Sequence, residues 1–269
     1  MFRVSNEKAA EKIRCVLLLL AVTVLVALTP AGSMNAQAKA LSAKTTDNKW
    51  PWKVIVTGDA ETDYIAEVLC QQILKPKDSE ITRARKIYLW GGAHFTRTGK
   101  GLSSKRVLVS INSKKDKAKI KAYRKTVKAM LKEGKASKRR SSAFGGSIAS
   151  LKKAVYTQTG TCVDMARLSY VLLQHAGLKA DVIANNRFEH DYSHAWNVVK
   201  VKGKWYYYDG RWTCRDFPGH GSWTYKMFLV SVKTAKNTYH LYTTIRQSPK
   251  IKKYLKMVSK KDCPHRLKG

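Results

Sequence analysis

Acidic residues are scarce in this chain of 269 residues: 18 Asp and Glu stand against 52 Lys and Arg, a formal charge of +34. The carboxylates form no cluster of the kind that holds calcium. No C-x-x-C pair occurs among the five cysteines, which leaves a cysteine-type zinc site without support. His190 and His194 have H-x-x-x-H spacing, but the stretch reads as loop into strand and Asp191 follows His190. A zincin site needs that spacing on a helix, with Glu beside the first His, so the spacing is taken as coincidence. No internal repeat is present, and no stretch after the first thirty residues could span a membrane. No metal or cofactor is therefore expected.

What the chain has in quantity is apolar surface. Hydrophobic residues make up 44%, with seven Trp and thirteen Tyr, enough for a sizeable core. The first forty residues read as a targeting segment. Lys8, Lys12 and Arg14 precede an apolar run, Val16 to Leu28, which Pro30 and Gly32 break. Ala36-Gln37-Ala38 offers a small-x-small cleavage site. Residues 1–38 are thus expected to be a signal peptide, the alternative being an uncleaved anchor, and the mature protein to be secreted or held at the cell surface. Removing that segment takes away four basic and two acidic residues and leaves 48 against 16, or +32. An exported protein meets no cytosolic nucleic acid, so nucleic acid is not an expected partner. Anionic cell-wall polymer, anionic lipid headgroups or an acidic substrate suit the charge better. General solubility explains it as well, because the lysines are spread along the chain.

Residues 39–51 are polar and read as a linker, with one domain from 52 to 269. Val54-Ile55-Val56 is a short apolar run. Ile65, Val68, Leu69 and Ile73 recur at helical spacing, and a second helix opens at Ser79 and Glu80 and should stop at Gly91-Gly92. Lys105 to Ile111 is β-branched and reads as a strand. Lys114 to Gly134 is a Lys-rich helix with Ile120, Tyr123, Val127 and Leu131 on one stripe. Ser147 to Tyr156 reads as a short helix. The run Lys250 to Lys261 reads as a solvated helix or tail.

The chemistry concentrates in two stretches. In Gly160-Thr161-Cys162-Val163-Asp164-Met165-Ala166, the spacing of Val163, Ala166, Tyr170, Leu173 and Ala176 starts a helix near Cys162, capped by Thr161 and ended by Gly177. Unpaired amides and the dipole at a helix start favour a thiolate, the nucleophilic form. Taken alone, Cys162 would be a small core residue. The second stretch, Tyr192 to Val201, reads as a strand. Lys202-Gly203 marks a turn, and Lys204 to Gly210 returns. With a two-residue tip, Val201 opposes Lys204 and Trp196 opposes Asp209. His194 and Asp209 then share a face as diagonal neighbours, within reach of an imidazole–carboxylate hydrogen bond. A three-residue tip would put them on opposite faces.

The trio defines roles for an acyl transfer. Cys162 attacks an acyl carbon, His194 pairs with the thiolate and protonates the leaving amine, and Asp209 orients the imidazole. The oxyanion would be held by the Cys162 amide and a second donor, with Tyr156 and Gln158 as candidates. Trp196 and Trp212 are candidate walls of the site, with ordinary aromatic core the plainer role for at least one. His94, His220, His240 and His265 show no partner spacing, and His175 reads as a partly buried residue of the helix after Cys162. With Cys162 as nucleophile, Cys70, Cys214 and Cys263 can form at most one disulfide.

Gly160-x-Cys162, then His194-Ala195-Trp196, then Trp205 followed by Asp209, resembles the core of the transglutaminase-like superfamily. The resemblance extends upstream to Thr82 to Trp90, covers about residues 60–215, and is most specific over 156–212. It implies an α+β, papain-like fold, with the nucleophile helix packed on an antiparallel sheet. It also implies cysteine chemistry on amide bonds of protein or cell-wall peptide, ending in crosslinking or hydrolysis, through an acyl-enzyme thioester. Two departures stand out: Val163-Asp164-Met165 where members commonly have glycine or aromatic residues, and a basic insertion at 102–145. The alternative function is a non-catalytic, basic cell-surface binding module on the same fold.

Overall fold

The computed structural model describes residues 50–97, 114–139, 147–185, 194–213, 225–238, 249–264 and 266. The expected signal peptide, the expected strand Lys105–Ile111, and His190, Asp191, Cys214, His220, His240 and His265 lie outside the described residues, as does the side chain of Trp212.

The chain opens with β1 (Val54–Val56), α1 (Ala60–Ile73), α2 (Glu80–His94) and β2 (Thr96–Arg97). Then come α3 (Lys114–Lys132), β3 (Ala136–Lys138), α4 (Ile148–Thr157), β4 (Thr159–Gly160) and α5 (Cys162–His175). The last part holds β5 (Ala180–Asn185), β6 (His194–Val201), β7 (Lys204–Tyr208), a 3-10 turn at Gly210–Thr213, β8 (Phe228–Val230), α6 (Val232–Thr238) and α7 (Pro249–Met257). Short polar side chains start several helices by accepting a backbone N–H three residues on: Asp59 from Thr62 at 2.9 Å, Ser79 from Thr82 at 3.2 Å and Ser147 from Ser150 at 3.2 Å.

Strands β5 to β8 form one antiparallel sheet in that order, and β1–β3 and β2–β4 are two small parallel ladders. The sheet is covered on both faces, and its period-2 alternation sorts its side chains between two cores. Ala195, Val199, Val201, Tyr206 and Tyr208 join the larger core with α1, α2, α4 and α5. Trp196, Val198 and Tyr207 join a second core with Ile251, Tyr254 and Val258. The fold is therefore α+β, with the helix that begins at Cys162 packed on β5 and β6.

Four sequence expectations change. Helix α2 does not stop at Gly91-Gly92 but runs through both to His94. Those glycines allow close approach instead: a Cβ on Gly91 would lie 2.8 Å from Met165 Cε of α5, and one on Gly92 would lie 2.9 Å from the Thr213 carbonyl oxygen. On α3, Met130 rather than Leu131 completes the buried stripe with Tyr123 and Val127, and Leu131 is 36% exposed. The carboxy-terminal run is not solvated throughout. Ile251, Tyr254 and Val258 fall at three- and four-residue spacing between the lysines and are buried on the sheet. Trp50, placed in the linker by its polar neighbours, stacks on Trp52 with ring centroids 4.7 Å apart and donates to the Glu67 carboxylate at 3.1 Å. Strands β2, β3, β4, β5 and β8 and helix α6 had no forecast.

Candidate active site

Cys162 is the first residue of α5, after Thr161 in extended conformation. The Thr161 N–H and hydroxyl both donate to Asp164 Oδ2, at 2.9 and 3.2 Å, which fixes the turn that presents the thiol. Gly160 has φ +148°, and a Cβ there would lie 2.6 Å from Asp164 Cγ. The glycine two residues before the cysteine is thus required by conformation and by space.

The hairpin has the expected two-residue tip: Val201 pairs with Lys204, and the register holds to Asn197 and Tyr208. The expected pairing of Trp196 with Asp209 does not form, because the ladder ends one pair earlier. Asp209 leaves β7 and donates its N–H to the Met227 carbonyl at 3.0 Å. Its side chain still falls on the His194 face. His194 Nε2 donates to Asp209 Oδ2 at 2.7 Å, and Asp209 Oδ1 accepts the Arg211 N–H at 3.0 Å. Both members of the dyad are buried, at 3% and 2% exposure. The Trp196 ring stacks on the imidazole with centroids 5.7 Å apart. Trp196 is buried and belongs to the second core as well.

Cys162 closes the trio. The His194 side chain and the Ala195 backbone N–H both act on its thiol and favour the thiolate. With Nε2 committed to Asp209, Nδ1 is the imidazole nitrogen left to serve the sulfur. Burial pushes the Cys162 thiol up, but the His194 imidazole and the Ala195 N–H outweigh it, and the thiol lies below its ordinary range. Burial lowers His194, whereas the Asp209 charge and hydrogen bond, and then Cys162, raise it to about 9. Together the two shifts favour a thiolate–imidazolium pair. Cys70 and Cys263, the other free thiols among the described residues, are both pushed up, chiefly by burial.

Of the oxyanion candidates, Tyr156 lies half-buried in the last turn of α4 and Gln158 is 1% exposed in the left-handed region at φ 49°. One residue with a structural role at the site escaped the sequence reading. Asn197, buried on β6, donates to the Ala166 carbonyl of α5 at 2.8 Å and to the Asp181 carbonyl at 3.3 Å, pinning the amino-terminal half of α5 to the histidine's strand. A polar residue in the middle of an otherwise apolar strand was its only signal. His175, expected to be partly buried, is 1% exposed and donates to Glu67 Oε2 at 2.6 Å. Among the described residues no group of three or more His, Cys, Asp or Glu could hold a metal ion, and no helix is long and apolar enough to cross a membrane.

A helix-borne thiol beside a buried imidazole–carboxylate pair on an antiparallel sheet is an arrangement that can serve a cysteine nucleophile. Residues 105–210 match the family model of the transglutaminase-like superfamily, which generally comprises cysteine enzymes. The matched segment starts inside the stretch set apart as a basic insertion and includes α3. No curated protein and no solved structure matches the chain.

Proposed function

We propose that the protein is an exported transglutaminase-like cysteine enzyme that acts on amide bonds of protein or cell-wall peptide. The observation that carries this reading is the 2.7 Å hydrogen bond between buried His194 and Asp209, with the same imidazole lowering the Cys162 thiol at the start of α5. The layout of residues 1–38 supports export.

The chemistry follows from the charges. The Cys162 thiolate attacks the amide carbonyl carbon, a C–S bond forms, and the carbonyl π pair moves to oxygen. The Cys162 N–H, in the first turn of α5, is one donor to that oxyanion, and Tyr156 or Gln158 supplies the other. Collapse breaks the C–N bond as the His194 imidazolium gives its proton to the departing amine, leaving a thioester and a neutral imidazole. The imidazole then takes a proton from an incoming amine or water, which attacks the thioester and returns the thiolate–imidazolium pair. An amine gives a crosslink and water gives hydrolysis. Asp209 holds the ring and supports its charge throughout.

The test is brief alkylation with iodoacetamide near neutral pH, read by mass spectrometry on wild type and His194→Ala. Fast labelling at Cys162 that slows in the variant, while Cys70 and Cys263 stay unlabelled in both, is expected. Slow labelling in both, or Cys162 held in a disulfide, would sink the catalytic reading in favour of a non-catalytic binding module.

A further inference from the structure

Among the described residues, a strongly charged surface that the site does not use is the outward face of α3. Its inward face is Tyr123, Val127 and Met130, all buried. On the opposite side Lys114, Lys117, Lys121, Lys125, Lys128 and Lys132 recur at three- and four-residue intervals, and all six are exposed. Helix geometry confines them to about 80° of arc over ~27 Å, a mean interval of ~5 Å. The segment from 114 to 135 holds two carboxylates, Asp116 and Glu133, which pair with Lys119 at 3.8 Å and Lys135 at 2.8 Å, neither of them in the stripe. Acidic partners are spent elsewhere, as in Lys86–Asp78, Lys250–Asp181 and Arg266–Asp262. Like charges three and four residues apart repel and weaken a helix. Scattered or mixed charges would give the same solubility without that cost.

We propose that this lysine stripe is a docking surface for a linear phosphodiester polymer of the cell wall. Lysines are compact point charges, suited to a charged backbone that presents no fixed geometry. A straight row at a short, regular interval matches a chain carrying one negative charge per short repeat. A bilayer is the poorer partner, because an interfacial helix turns its apolar face outward, whereas α3 buries that face and exposes Leu131 as its one large apolar residue. Preferring wall polymer to nucleic acid rests on the export reading above. The stripe is also remote from the chemistry. Tyr123 of α3 meets His175, the last residue of α5, and Cys162 is the first, ~20 Å away along that helix. A polymer lying on α3 tethers the protein while leaving the thiol open.

The test uses the purified protein as the cell produces it, as wild type and with Lys117→Gln, Lys121→Gln, Lys125→Gln and Lys128→Gln combined. Poly(glycerol phosphate), single-stranded DNA of equal phosphate number and anionic phospholipid vesicles serve as probes across a salt series. The wild type is expected to bind the poly(glycerol phosphate) most tightly, with log affinity falling linearly against log salt. At ~0.7 per phosphate contact, removing four charges should flatten that slope by about 3 and weaken binding at least tenfold near 0.1 M salt. The Cys162 alkylation rate should not change. Lys→Arg at the same four positions should keep binding. Unaltered binding in the Gln variant, lost binding in the Arg variant, or tighter wild-type binding to DNA or to vesicles would overturn the proposal. Binding is scored without activity, so an inert Cys162 would sink the proposed enzyme and leave this surface standing.

Discussion

His194 reaches Asp209 at 2.7 Å across a ladder that has already ended, since pairing between β6 and β7 stops at Asn197 and Tyr208. The carboxylate is held instead by two backbone bonds, its own N–H on the Met227 carbonyl and the Arg211 N–H on its second oxygen. Asp209→Asn keeps the size and most of these bonds but removes the charge that raises His194. Turnover is expected to fall by about 10²- to 10⁴-fold, as in other triads whose orienting carboxylate is lost. Cys162 alkylation should slow in parallel. Circular dichroism should show an intact fold. Undiminished labelling would mean that Asp209 does not support the imidazolium.

The pH dependence of Cys162 labelling is a second prediction. The thiol is lowered mainly through His194, so labelling should persist at pH values where an ordinary thiol is protonated. In His194→Ala the onset should move upward. The imidazolium is lost as pH rises through about 9, so any amide cleavage should fall there and give a bell-shaped profile. The sign for stability is the same: folded His194 is raised above its unfolded value, so its contribution is complete below about 6.5 and lost as pH rises through about 9. Equal labelling onsets in wild type and variant would break the proposed pair.

Much of this site was legible in local sequence. The dyad's shared face followed from period-2 alternation and a two-residue Lys202-Gly203 tip, and the helix start from spacing plus a Thr161 cap. Long-range packing was not legible. Gly91 and Gly92 look like a stop because propensity counts their flexibility, yet Met165 and the turn at Thr213 need the space their missing Cβ atoms leave. Asn197 looks out of place in a buried strand until the Ala166 carbonyl is set against it, 31 residues away in sequence. Strand β8, preceded by the Met227 that fixes Asp209, is three residues of plain apolar sequence with no turn signal to mark it.

Gly160→Ala tests the turn before the nucleophile. At φ +148° an added Cβ would press on the Asp164 carboxylate that receives the Thr161 N–H. A cost of about 1–3 kcal/mol is expected, with slower Cys162 labelling. Asp164→Ala removes the obstructing side chain, so the double variant should lose less than the sum of the singles. Additive losses by denaturant titration would show that the backbone angle alone, and not the carboxylate, demands glycine.

The opposite end of α5 supplies a prediction that separates stability from chemistry. Glu67 and His175 are each 1% exposed, 2.6 Å apart, with Gln71 donating to the same carboxylate at 2.7 Å and Trp50 at 3.1 Å. Burial would raise Glu67, but the His175 hydrogen bond and charge, with Gln71 and Trp50, hold it below the ordinary carboxylate range. Glu67→Gln breaks a buried pair and should cost about 3–5 kcal/mol, lowering the melting temperature by about 2–4 °C per kcal/mol. Because folded Glu67 is depressed, the wild type's advantage should be complete above pH 4.5 and shrink as pH falls through the lowered value. Cys162 labelling at neutral pH should be unaffected, since the pair lies a full helix length from the thiol. A stability gap that stays constant into acid would mean that the carboxylate acts there by shape and hydrogen bonding rather than by charge.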